Sequence, residues 1–440
     1  MQRRKIQMNE EITKARKQNM KIYSIYRAIG LDLIFYYAVE FLFLTQVKHI
    51  SSADIVLGAG FYAVFMIIFQ IPASIIVDRI GTRRCTILAN IFNSIFVILI
   101  MCCKNLGMLI FAQFIDAICF SLKDISDTTL IRYSIPETKK KGEIYSKLEG
   151  KGRRNYFLLN ACTSFCSGFL YVINPYIPMI ISLCFTIVAT IISFGFRDIE
   201  EEKSQQKETK EKPTIKNYMK DLMESIKFIV KSQRLRSLFL YSGITWGIFC
   251  LMGTYRNSLL VDIGTSEQII TMITAYVGIF SSRGAKWQVQ FNNHFRNRSL
   301  STILLMITFS ILIIGITGAI NISSEVTLLA VIICCPFLHI SKGMSEVLTP
   351  RYLGNFAKEG ILTQIYAVNA ISRNVLRAII SFFGSYLLRI TNTANSFIVI
   401  GILLLVTSIG LISYMKTRLG LKPEEYDENE IFKQEKLKNA

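Results

Sequence analysis

The chain reads as an all-α membrane protein, twelve transmembrane helices arranged as two six-helix pseudo-repeats. Three observations predict this class: long apolar runs, basic charge confined to one side, and an internal repeat of rare charged residues. Hydrophobic residues make up 51% of the 440 and charged residues 18%, where an ordinary soluble domain carries about 25% charged residues. About twelve apolar segments of roughly 20 residues can be marked, each long enough to cross a ~30 Å hydrocarbon core as a helix. They lie near 24–46, 54–77, 85–103, 107–133, 155–174, 177–196, 236–261, 267–290, 300–320, 326–349, 362–388 and 394–415.

The net charge of +19 is not spread evenly. Lys and Arg cluster at 1–27, 79–84, 139–154, 202–236, 296–298 and 416–418, while the opposite loops hold Lys48, Lys104 and Arg389. That asymmetry orients helices during insertion and predicts both termini on the cytoplasmic side of the cytoplasmic membrane. The basic residues then set topology and meet anionic lipid. No basic stretch interleaved with aromatics suggests nucleic acid as a partner. The first 20 residues are too charged to be a cleavable signal peptide.

The repeat is visible in charged residues, which apolar composition cannot align by chance. Residues 123–133 and 342–352 match at an offset of 219, placing Lys123, Ser126, Asp127, Arg132 and Tyr133 on Lys342, Ser345, Glu346, Arg351 and Tyr352. Arg154-Asn155 falls on Arg373-Asn374 at the same offset. Span 4 is therefore equivalent to span 10, and span 5 to span 11. The organisation expected is a six-helix bundle over 1–196, a cytoplasmic linker over 197–235, a second bundle over 236–418 and a cytoplasmic tail over 419–440. The linker contains a Glu-, Lys- and Gln-rich stretch at 198–217 and is expected to be partly helical at 215–232.

Taken in order, span 1 offers Asp32, Tyr36 and Glu40 at i, i+4 and i+8, a polar stripe on an otherwise apolar helix. Asp32 sits near the midpoint of the span, and its nearest basic residue in sequence is Arg27, five positions back. A carboxylate placed there suits a proton-coupling group, because holding its charge in hydrocarbon is costly. Spans 2 and 3 are joined by Asp78-Arg79-x-Gly81-x-Arg83-Arg84, too charged to lie in the membrane. This loop resembles the D-R-x-G-R-[RK] signature between helices 2 and 3 of major facilitator superfamily transporters, with Ser74 where Gly is usual and Thr82 where Arg is usual. The resemblance implies the major facilitator fold, with a substrate site between its halves near the midplane. It also implies a conformational latch made by Asp78, Arg79, Gly81, Arg83 and Arg84, with Asp78 capping a neighbouring helix. Arg83 and Arg84 are expected to snorkel to lipid head groups.

On span 4, Asp116, Lys123 and Asp127 fall within an arc of roughly 40° at 100° per residue. Span 10 repeats the stripe with His339, Lys342 and Glu346, and span 11 offers Asn369, Arg373 and Arg377. Charges inside spans cost about 2.5–3.5 kcal/mol on insertion scales and usually face a bundle interior or an aqueous cavity. Lys123/Asp127 and Lys342/Glu346 read first as i,i+4 ion pairs with a structural or gating role that let the helix insert, and second as groups touching substrate or protons. Arg256 on span 7, Arg283 and Lys286 on span 8, and Arg373 with Arg377 make the second half basic inside the membrane. Walls of both signs could bind a zwitterionic or amphipathic solute, or could form ion pairs between the halves.

The rest of the family pattern is partial. Gln113 stands where many members carry Arg on span 4, and residues 161–170 lack the Gly-Pro motif of the drug/proton antiporter branch. Residues 145–152, Tyr-Ser-Lys-Leu-Glu-Gly-Lys-Gly, are similar to a stretch in bacterial exporters of this superfamily, which favours efflux over uptake. No phosphate-cradling G-x-x-x-x-G-K-[ST] loop is present, so a nucleotide-driven motor or another enzyme is not expected. The three His are not spaced with Cys or carboxylates as ligands, so neither metal nor cofactor is expected. The ten Cys read as packing residues rather than disulfides. The function expected is secondary active transport of a small organic solute by alternating access, coupled to protons or another ion, by a monomer in contact with membrane lipids. The alternative is a sensor or scaffold that uses the same fold without transport.

Overall fold

In the computed structural model, residues 2–136, 141–199, 232–295, 298–320, 323–356 and 362–416 are described, with isolated positions between 223 and 230. The Glu-, Lys- and Gln-rich linker, apart from its first residues, and the tail after 416 lie outside the described residues. The chain divides into two compact units, residues 1–49 with 65–218 and residues 50–64 with 219–440.

The first unit is built from α1 (Gln2–Gly30), α2 (Tyr36–Leu42) with a π turn over Phe43–Val47, α3 (Ser52–Ile80), α4 (Thr82–Cys102), α5 (Leu106–Ser134), α6 (Lys141–Ile173) and α7 (Tyr176–Phe194). The first turns of α3, through Val64, group with the second unit. That unit continues with α8 (Gln233–Asp262), α9 (Glu267–Phe295), α10 (Ser299–Ile320), α11 (Ser324–Phe356), α12 (Leu362–Ile390) and α13 (Thr393–Lys416). Helices are the form these segments must take, because hydrocarbon offers no partner to an open backbone N–H or C=O.

The repeat extends to architecture. Helices α4, α5 and α7 start within two residues of where the 219 offset would place the starts of α10, α11 and α13. Packing follows the same plan: α4 lies on α5 and α7 as α10 lies on α11 and α13, and α1 lies on α6 as α8 lies on α12. Among the described residues, nine helices are long and apolar enough to cross a membrane. The three expected spans outside that set are the first, α9 and α12, each carrying polar or charged residues along its length.

Three boundaries differ most from the sequence reading, beginning with α1, which starts at Gln2 rather than near 24. Span 1 is not one continuous helix over 24–46. It breaks at Leu31–Phe35, where Phe35 takes a φ of 69°, a conformation that a bulky side chain adopts only when its surroundings enforce it. The break has a local cause as well: Asp32 Oδ1 accepts the Leu33 N–H at 2.9 Å, a side-chain bond that competes with the helix ladder. Helix α6 begins at Lys141, well before the expected start of span 5 at 155, so part of the basic cluster at 139–154 is helical.

Tight backbone approaches position the polar residues. Gly284 on α9 and Gly343 on α11 face each other's helix, where an added Cβ would press into the Ile340 and Ser281 carbonyls. This is close small-residue packing of the kind found between membrane helices. Gly152 on α6 gives the same room to the side-chain stem of Arg27, which a Cβ would meet at 2.7 Å. All ten cysteines are free thiols.

Candidate functional site

In the first unit, the inward face of α5 carries Asp116, Lys123 and Asp127, all buried, as the stripe predicts. The expected i,i+4 pair is absent, however. Lys123 Nζ donates to Asn90 Oδ1 on α4 at 3.1 Å and lies 6.0 Å from the Tyr26 ring centroid. Asp127 pairs instead with Arg27 of α1, whose Nη1 sits 3.1 Å from Oδ2. It also accepts the Tyr26 hydroxyl and, at Oδ1, the Thr86 hydroxyl, each at 3.1 Å. The carboxylate has chosen a guanidinium on another helix over the ammonium one turn away, because the bonds it accepts from α1 and α4 satisfy both oxygens.

Arg27 bridges to a second carboxylate. Its Nη2 lies 3.1 Å from Glu149 Oε1 on α6, and Nε donates to the same oxygen at 3.3 Å. Glu149 also accepts the Tyr23 hydroxyl at 2.6 Å and Arg153 Nε at 2.7 Å. One buried arginine thus ties α1, α5 and α6 together, with two acids to one cation at the joint and Arg153 supplying the second. Glu149, Tyr23, Tyr26, Thr86 and Asn90 were not singled out in the sequence. The available clue was local, since Glu149 lies in the 145–152 stretch, between Lys147 and Arg153 and next to two helical glycines.

Asp32, Tyr36 and Glu40 do not form one helical stripe, because the backbone breaks among them. Asp32 is half-buried in the break, and among the described residues no Lys or Arg stands within ion-pairing distance of it. Tyr36 is buried on α2 and donates its hydroxyl to Glu40 Oε1 at 2.9 Å. At the α3–α4 turn, Gly81 has φ 96°, a conformation open to glycine and strained for other residues. Asp78, Arg79 and Arg84 are exposed. Arg83 does not simply reach outward, since its Nη2 donates to the Phe194 carbonyl at 3.1 Å, satisfying an orphan acceptor at the end of α7.

In the second unit, α8, α11 and α12 enclose a small cleft that holds Glu346 and Arg373. The Arg373 guanidinium carbon lies 3.9 Å from the Trp246 ring centroid, a cation–π contact. Arg377 lies on Tyr62 at 4.7 Å. Arg256 is buried and held by neutral groups, with Nε and Nη2 on Asn257 Oδ1 and Nη2 on Thr274 Oγ1. His339 Nδ1 is 3.1 Å from Ser281 Oγ. Among the described residues, Lys342 and Glu346 form no ion pair with each other, so the pairing expected for them also fails. Arg283 and Lys286 lie on an exposed face of α9 rather than inside the unit.

The comparisons agree with this geometry at the level of fold. A family model described as Major Facilitator Superfamily matches residues 28–380, and no curated protein matches the chain. Among solved structures, the nucleoside transporter NupG is similar with a TM-score of 0.68 at 8% identity, covering 93% of this chain and 100% of that one. A D-xylose-proton symporter aligns at 0.65 and 11% identity, covering 92% and 97%. A POT family transporter in complex with 5-aminolevulinic acid aligns at 0.60 and 13% identity, covering 92% and 96%. At these identities the structures speak for the fold. With the family model spanning most of its 440 residues, this chain belongs to the major facilitator superfamily.

Proposed function

We propose that the chain is a secondary active transporter that moves a small organic solute across the cytoplasmic membrane by alternating access. Transport is coupled to protons and directed outward, with both termini cytoplasmic. The observation that carries this reading is the break at Leu31–Phe35. Irregular backbone at membrane depth is tolerated where it is buried in protein or lines an aqueous cavity, and broken helices build the substrate and ion sites of many transporters. Here the break holds a carboxylate, Asp32, with no cation at ion-pairing distance among the described residues. Such a group can take up and release a proton without dismantling a salt bridge. The one-sided basic loops support the orientation, and the 145–152 stretch supports export.

The test is transport in proteoliposomes under an imposed pH gradient, with a panel of lipophilic cations, zwitterions and anions. Wild-type protein is expected to accumulate at least one solute against its gradient. Asp32→Asn is expected to lose that accumulation while keeping equilibrative exchange, and to flatten the dependence of rate on pH. Unchanged gradient dependence in Asp32→Asn would remove Asp32 from the coupling role. No movement of any solute would sink transport itself and favour the sensor or scaffold.

A further inference from the structure

The cleft of the second unit contains opposite charges that make no direct ion pair. Glu346 and Arg373 both line it, and among the described residues neither makes an ion pair. Arg373 lies over the Trp246 ring, its guanidinium carbon 3.9 Å from the centroid, and its buried Nε has no hydrogen-bond partner. The buried Thr349 hydroxyl is likewise without one, and Ser242 and Thr245 add hydroxyls to the same wall. A guanidinium stacked on an aromatic ring keeps its N–H edge free for a carboxylate, which it binds in a fork. A carboxylate left open beside it is a seat for an ammonium.

We infer that this cleft binds the head group of a zwitterionic solute, carboxylate on Arg373 and ammonium on Glu346, with Trp246 as its apolar floor. The inference rests on the transport reading and names its substrate class: α-amino acids and compounds with that head group. A simple cation meets Arg373 and a simple anion meets Glu346, so the wall that attracts one charge rejects a molecule lacking the other. A solute with both charges a few bonds apart satisfies the pair that the protein leaves apart.

Trp246 makes the site its own reporter, since the chain has two Trp and the other, Trp287, is 41% exposed on α9. In purified full-length protein carrying Trp287→Phe, an equimolar mixture of the non-aromatic amino acids is expected to change Trp246 emission saturably. The matched methyl esters and N-acetyl derivatives are each expected to bind at least about tenfold more weakly, because each leaves one charge of the site unmatched. Glu346→Gln is expected to restore the N-acetyl series, and Arg373→Gln the ester series. That reciprocal rescue is something lost packing does not produce. Equal responses to all three series, or none to the amino acids, would overturn the proposal. A response to short-chain phosphatidylethanolamine alone would also overturn it, by assigning the head group to lipid. If the proteoliposome panel is transported while Trp246 stays silent, this site falls and transport stands; if nothing moves either, both fall.

Discussion

Asp127 and Glu346 occupy the same place in the repeat, 219 residues apart on α5 and α11, and meet opposite environments. Asp127 is buried and saturated, holding Arg27, Tyr26 and Thr86. Glu346 is exposed in a cleft and makes no ion pair among the described residues. At the same offset Glu149 of the first unit becomes Val368 in the second. Among the described residues no cation pairs with Glu346, and Arg373, which lines the cleft with it, lies against the Trp246 indole instead. One half has turned the position into a fastening and the other has left it open.

The largest effect that tests this contrast is on stability. Asp127→Ala removes one carboxylate of a buried network and is expected to cost about 2–3 kcal/mol, because Arg27 Nη1 and the Tyr26 hydroxyl lose their acceptor while Glu149 still holds the rest of the guanidinium. Glu346→Gln is expected to leave thermal unfolding of the purified protein where it was. Equal destabilisation by both would break the comparison.

A smaller effect lies at Gly152, where a Cβ would meet the stem of Arg27. Gly152→Ala is expected to cost about 1–3 kcal/mol by overpacking that joint. Gly150→Ala, two residues earlier with open space around it, is expected to stabilise by up to about 1 kcal/mol through helix propensity. Thermal unfolding of the two variants side by side decides it, and loss of stability in both would mean that α6 tolerates no side chain there for other reasons. The smallest effect is that of Arg153→Gln. Its pair with Glu149 is mostly exposed on the arginine side, so it is expected to contribute about 0.3–0.5 kcal/mol and to fade with added salt.

Much of this fold is legible in the letters, because a membrane demands long apolar helices and charges inside them are conspicuous. The stripes on α5, α11 and α12 come out as continuous helices, and Asp116, Lys123 and Asp127 are buried together. The partners are what sequence spacing misjudges. Arg27 meets Asp127 and Glu149 across 100 and 122 residues, and a helical wheel can propose only neighbours at i+4. Glu149 was out of view for a further reason, since its helix starts at Lys141 instead of 155. The break at Leu31–Phe35 contradicts a good apolar periodicity, and its causes are a side-chain bond to the backbone and a φ enforced by packing.

That break also has a mechanical meaning. Helix α1 is a rod of 29 residues, roughly 44 Å long at 1.5 Å per residue, and Arg27 clamps it to α5 and α6 near its end. Bending stiffness in a helix comes from its ladder of hydrogen bonds, and the ladder stops at Gly30. A torque applied along the rod is therefore taken up first by the clamp and the few residues beyond it, and passes to α2 through the helices on which both pieces pack, α6 and α7. The two pieces of this span behave as links meeting at a joint, with Asp32 at the pivot.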